Sequence, residues 1–179
     1  DFTVASSMTN TAQTGTPAAA AGSDFTLTAT AVAGYSGTPA IDRTASKVVT
    51  HVGVTDFTTR LRDAAGGNTI TFPAATIGTG VSTHTVQYHD AGNVGILANG
   101  IVDSTFTAVD DPVKDCMGGS SLNTDNDGNA NNGLKYGCNV ANQSNSSLFG
   151  RFFPGYYTMS GGSVTAACAS GGFSYMGHA

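Results

Sequence analysis

Apolar and polar residues alternate along most of this chain, and the clearest run is D-F-T-L-T-A-T-A-V over residues 24–32. Phe25, Leu27, Ala29 and Ala31 fall on one side of an extended backbone and the threonines on the other, so one face is buried and one is wet. Comparable alternation covers residues 47–54, 69–72, 83–88, 94–98 and 104–109. Helical periodicity is hard to find, because Gly interrupts almost every apolar stretch. Turn residues cluster at 34–39, 63–68 and 89–93, where Gly, Asn and Asp accept positive φ or bond their own backbone. The pattern predicts an all-β chain of about seven short strands, an immunoglobulin-like β-sandwich over residues 1–110.

After Asp110 the pattern changes. Asp111-Pro112 breaks a strand, and residues 111–147 are an Asn/Gly/Asp-rich loop or linker with hardly an apolar anchor. Hydrophobicity returns in Leu148-Phe149-Gly150-Arg151-Phe152-Phe153-Pro154-Gly155-Tyr156-Tyr157, the densest aromatic stretch of the sequence. Asp1-Phe2-Thr3-Val4-Ala5-Ser6 is echoed by Tyr156-Tyr157-Thr158-Met159-Ser160, and each is a candidate opening of a sandwich. Residues 148–179 are therefore expected to be an aromatic β-segment opening a second, incomplete domain. A few isolated strands are unstable in water, so this segment must pack on the first domain or add a strand to a neighbouring chain.

Composition narrows the chemistry. Of 179 residues only 11% are charged, and 7 basic residues stand against 12 acidic ones for a net charge of -5. The scattered Lys and Arg give no electrostatic footprint for nucleic acid. No apolar run approaches the ~20 residues needed for a membrane-spanning segment. Thr, Ala, Gly and Asn dominate, a composition typical of secreted bacterial β-proteins, which makes an extracellular location the leading expectation. Cys116, Cys138 and Cys168 show neither a CxxC pair nor zinc-site spacing. A Cys116–Cys138 disulfide is favoured because it closes one Gly/Asn-rich loop of little apolar content, and the alternative is three free or buried thiols.

The best metal candidate is Asn123-Thr124-Asp125-Asn126-Asp127-Gly128-Asn129-Ala130-Asn131, which matches D-x-[DN]-x-[DN]-G with Asn in first place. Side chains of Asn123, Asp125, Asp127, Asn129 and Asn131 can converge on Ca2+, which takes six to eight oxygens at ~2.4 Å. The twelfth position is Leu134, so the bidentate Glu of an EF-hand is missing, and a solvated Asx-rich loop is the competing reading. His51, His84, His89 and His178 are dispersed, and no nucleophile elbow, zinc helix motif, phosphate loop or dinucleotide fingerprint occurs. Few acids are present, and nothing in the spacing pairs Asp56, Asp63, Asp90 or Asp103 for glycoside cleavage. The residues therefore predict no enzyme. Phe149, Arg151, Phe152, Phe153, Tyr156 and Tyr157 are candidate interaction residues, as packing between domains or subunits, as a sugar-stacking platform, or as core. Simple alternation puts Phe149 and Phe152 on different faces.

The aromatic segment resembles a known signature. Leu148-Phe149-Gly150-Arg151-Phe152-Phe153-Pro154-Gly155-Tyr156-Tyr157 is similar to the Gly-Arg-Phe-Tyr-Pro-Asp-x-Phe of the MshQ-like proteins, associated with biogenesis of the mannose-sensitive haemagglutinin pilus. Phe173-Ser174-Tyr175-Met176-Gly177-His178 resembles the Phe-Thr-Tyr-Met-Gly-Gln that follows it there. Residues 87–97 resemble the family's Tyr-x-Glu-x-Gly strand pair, and Ala21-Gly22-Ser23-Asp24-Phe25 its opening Ala-Gly-x-x-Phe strand. Gly155 and His178 depart from the usual Asp and Gln. The resemblance implies an exported surface protein of a Gram-negative bacterium, linked to type IV pili and built from repeated β-sandwiches. The expected role is a structural or adhesive module of a surface appendage or filament, partnered by other subunits or copies of itself. A carbohydrate-binding module of a pilus-tip adhesin, with a host or surface glycan as partner, is the alternative.

Overall fold

Strict alternation of burial along one strand sets the core. Phe25, Leu27 and Ala29 are buried on one side of β3 (Asp24–Thr30), while Thr26, Thr28 and Thr30 are half-buried on the other. The same period runs through β7 (Val81–Tyr88), whose Ser82, Val86 and Tyr88 turn inward. The two strands pair antiparallel over seven residues, from Asp24 opposite Gln87 to Thr30 opposite Val81. The protein is described by a computed structural model over residues 1–8, 16–17, 19–42, 47–50, 60–108, 116–117, 119–121 and 136–155. Among these residues the fold is all-β, with no α-helix and a single 3-10 helix at Thr105–Ala108.

Three sheets form. The first has the order β1-β3-β7-β6, with β1 (Thr3–Ser6) and β6 (Leu61–Asp63) at its ends. The second joins β2 (Ala19–Ala20), β11 (Phe149–Phe153), β8 (Gly92–Ile96) and β5 (Val48–Thr50), in that order. The third has the order β10-β9-β4, built from β10 (Val140–Ala141), β9 (Ile101–Asp103) and β4 (Ala40–Ile41). Phe25 of the first sheet meets Phe149 and Phe152 of the second at ring-centroid distances of 5.8 and 5.4 Å. Tyr88 meets Phe152 at 5.2 Å, and Phe2 meets Tyr35 edge-on at 5.3 Å. These rings join Leu27, Leu61, Ile70, Phe72, Val94, Ile96 and Ile101 in one buried cluster.

Three expectations change here. The boundary expected near residue 110 does not divide the described residues. β10 returns to pair with β9, and β11 lies between β2 and β8, so residues 140–153 complete the core of the first unit rather than open a second. The physical reason is that Phe149 and Phe152 need the apolar face that Phe25 and Tyr88 supply. Of the strand expected over 104–109, the described residues 104–108 do not continue β9, because Asp103 bends the chain. Its Oδ1 accepts from the backbone N–H of Thr105 at 2.8 Å and from the Thr105 hydroxyl at 2.6 Å, which caps a 3-10 turn. At residues 69–72 the chain is extended and buries Ile70 and Phe72, but among the described residues it forms only an isolated bridge from Thr71 to Ala40.

Candidate functional site

The aromatic segment was the first candidate surface, and its backbone decides against most of it. Gly150 sits at φ +70°, a left-handed conformation that costs a side chain ~1–2 kcal/mol. The ladder to β8 shifts there: Phe149 opposes Val94, whereas Phe152 opposes Gly92, so β11 uses three steps where β8 uses two. That bulge returns Phe152 to the same side as Phe149. Both are core, 4% and 2% exposed, contrary to the expectation that they face opposite sides or dock a partner. Asn93, fully buried on β8, holds the bulge by donating from its side-chain amide to the Gly150 carbonyl. Arg151 is half-buried, with its Nη1 enclosed and lacking a hydrogen-bond partner among the described residues. Phe153 alone of the described aromatic candidates is exposed, at 45%. Tyr156 and Tyr157 lie outside the described residues, as do Asn123, Asp125, Asp127, Asn129 and Asn131 of the calcium candidate. Among the described residues no three His, Cys, Asp or Glu side chains cluster as a metal site.

Two of the four buried polar side chains among the described residues, Asp103 and Asn142, lie on or next to the third sheet. Asp103, 1% exposed, accepts from the Tyr35 hydroxyl at 2.5 Å and the Thr38 N–H at 3.1 Å through Oδ2, in addition to Thr105 on Oδ1. Burial, then the hydrogen bond to Asp103, raises the Tyr35 phenol well above its ordinary value. Gly37 passes so close to Asp103 and the Tyr35 hydroxyl that any Cβ there would collide with both. Asn142, also 1% exposed, brackets the neighbouring turn: its Oδ1 accepts from Ile101 N–H at 2.8 Å and its amide donates to Leu97 and Ser144 carbonyls at 2.7 and 3.0 Å.

Beside this polar core Cys116 and Cys138 are joined in a disulfide with Cα atoms 5.1 Å apart. The bridge sits where Met117 N–H bonds Tyr136 O and Cys138 N–H bonds Met117 O, and Asn139 N–H bonds Ser120 O at 2.9 Å. Gly119, Ser121 and Asn139, close to the bridge in sequence, form one wall of a cleft of about 380 Å³ whose other lining residues are Asp42, Lys47, Asn99, Val102 and Ser104. Ser121 donates to Asn99 Oδ1 at 2.6 Å, and Lys47 Nζ donates to the Ala98 carbonyl at 3.3 Å. Asn99 is the one non-glycine with positive φ among the described residues, at 58°. The Asn139 Oδ1 is enclosed without a partner among the described residues, a state that costs ~1–3 kcal/mol. Sequence spacing gave no hint of this cleft, because its walls come from segments that only the strand pairing brings together.

The two ends of the first sheet differ in kind. At β6, Arg60 pairs with Asp90, and His84 reaches Asp63 at 2.8 Å. The Ala65 N–H and then His84 hold the Asp63 carboxyl below its ordinary value, while burial and then Arg62 lower His89. Asp63, Asp90 and Asp103 each engage a different partner. Charges of this kind guard a strand edge against pairing with another chain. At the opposite end β1 carries only Thr3, Val4, Ala5 and Ser6. A groove of about 220 Å³ runs beside it, lined by Val4, Ala5, Ser6, Met8, Ser147, Leu148 and Phe149. No family model matches this chain, and no curated protein or solved structure does either.

Proposed function

We propose that the chain is a structural module of an extracellular bacterial surface appendage, joined to a second copy by strand addition at β1. The contrast between the two ends of the first sheet carries this reading: β6 is ion-paired, whereas β1 is uncharged and flanked by a groove. Phe149 and Phe152 serve the module's own core, so the joining role expected of the aromatic segment passes to β1. The Cys116–Cys138 bridge supports an oxidising, extracytoplasmic setting, since disulfides persist there and are rare in the cytosol. Among the described residues no helix is long and apolar enough to cross a membrane. The reading assigns the module a mechanical role and no catalysis.

Sedimentation velocity over a rising concentration series tests it. The wild-type chain is expected to associate with concentration, and Ala5→Lys, which adds a charge at an exposed edge position, is expected to stay monomeric with its melting temperature unchanged. A wild-type chain that remains monomeric throughout, or association that Ala5→Lys leaves intact, overturns the reading.

A further inference from the structure

The cleft beside the disulfide has no part in the assembly just described. Its volume of about 380 Å³ equals the space of about a dozen water molecules at ~30 Å³ each, more than a lone ion needs and within the range of small-molecule sites. Among the described residues Val102 is the only large apolar side chain on its wall, so burial of an apolar ligand has little to work with. Among the described lining residues one carboxylate, Asp42, and one ammonium, Lys47, balance in charge, which favours neither a phosphate nor a divalent cation. The other polar groups are the amides of Asn99 and Asn139 and the hydroxyls of Ser104 and Ser121.

Donors and acceptors interleaved on this scale match neighbouring hydroxyls of a sugar ring, each of which gives one hydrogen bond and accepts two. The frame is set in advance of any ligand. Ser121 fixes the Asn99 amide at 2.6 Å, Asn99 N–H bonds Asn142 O at 2.7 Å, and Asp42 N–H bonds Gly100 O at 2.8 Å. Asn139 directly follows the bridged Cys138, and its N–H bonds Ser120 O at 2.9 Å, next to Ser121. Preorganisation of this kind reduces the entropy lost on binding. We infer that the cleft binds a neutral saccharide unit of a surface glycan. Asp42 and Lys47 take paired hydroxyls, and Asn139 gains the donor its Oδ1 lacks among the described residues once the amide turns toward the ligand.

The test is an amide-resolved NMR titration of the oxidised 15N-labelled protein with glucose, galactose, mannose and N-acetylglucosamine, each carried to ~50 mM, well above a millimolar Kd. At least one sugar is expected to shift amides at Asp42, Asn99, Ser104, Ser121 and Asn139 saturably. Asp42→Asn and Ser104→Ala are each expected to weaken binding roughly 10-fold, the scale of one lost hydrogen bond, while amides distant from the cleft keep their shifts. Ser104→Ala stands by itself if Asp42→Asn does not fold. No response at these amides to any of the four sugars, or variants that titrate like the wild type, overturns the inference.

Discussion

Replacing Phe152 by Ala should cost far more than replacing its neighbour Phe153, and the bulge at Gly150 is the reason. Phe152 is 2% exposed and touches two aromatic rings in the opposite sheet, whereas Phe153 is 45% exposed. A buried Phe removes ~200 Å² from water, worth up to about 5 kcal/mol at ~25 cal/mol/Å², and measured Phe→Ala losses in cores run ~3–5 kcal/mol. Against a total stability of ~5–15 kcal/mol for a domain, that is a large fraction. The half-solvated Phe153 should lose under ~1 kcal/mol on the same substitution. Gly150→Ala adds a left-handed penalty of ~1–2 kcal/mol and drives its Cβ into the Phe152 ring, so it should fall between the two or approach Phe152→Ala. The assay is urea unfolding of the oxidised protein followed by far-ultraviolet circular dichroism and Tyr fluorescence, which the absence of Trp leaves unobscured. The midpoint should drop in this order with the slope unchanged. A Phe153→Ala loss equal to or greater than that of Phe152→Ala would refute the bulge.

Reducing the Cys116–Cys138 bridge, which spans a sequence separation of 22, should lower stability by about 3 kcal/mol on chain-entropy grounds, read as a lower urea midpoint in dithiothreitol. Tyr88→Phe should be neutral or raise the melting temperature, because the Tyr88 hydroxyl is buried with no hydrogen-bond partner among the described residues; a loss above ~1 kcal/mol would contradict this. Burial raises the phenols of Tyr35 and Tyr88, so their contribution is complete below the ordinary value of ~10 and is lost as pH climbs beyond it. Alkaline unfolding should accordingly be delayed in Tyr88→Phe. At the acid end the lowered Asp63 contributes above ~3.9 and loses that contribution as pH falls through its folded value, so Asp63→Asn should flatten the stability profile below that point.

The strands legible in the sequence are those whose burial has period two without interruption. β3 and most of β7 follow directly from the alternating Phe25, Leu27, Ala29 and Val86, Tyr88. Interruption hides the rest. Gly150 shifts the phase of β11 by one residue, which turns an apparent two-faced aromatic strand into a one-faced core strand. Thr105 and Phe106 have strand propensity, yet a local bond to Asp103 outweighs it. The change of composition after Asp110 suggests a domain boundary because loops of that kind usually separate units. Only long-range pairing of β10 with β9 and β11 with β8 shows the chain returning to one core. The polar cleft was invisible for the same cause. Asp42, Asn99 and Asn139 share no motif, and their proximity is a product of topology.

Hydrogen exchange of the β1 amides as a function of protein concentration addresses the proposed joining of copies most directly. Among the described residues Thr3–Ser6 end the first sheet and pair only with β3, so the amides of β1 that face away from β3 have no ladder partner there. Protection at those amides should rise with concentration in the wild-type chain and stay constant in Ala5→Lys. Exchange at β1 that is independent of concentration, with any new protection appearing at β6 or elsewhere, would contradict strand addition at β1.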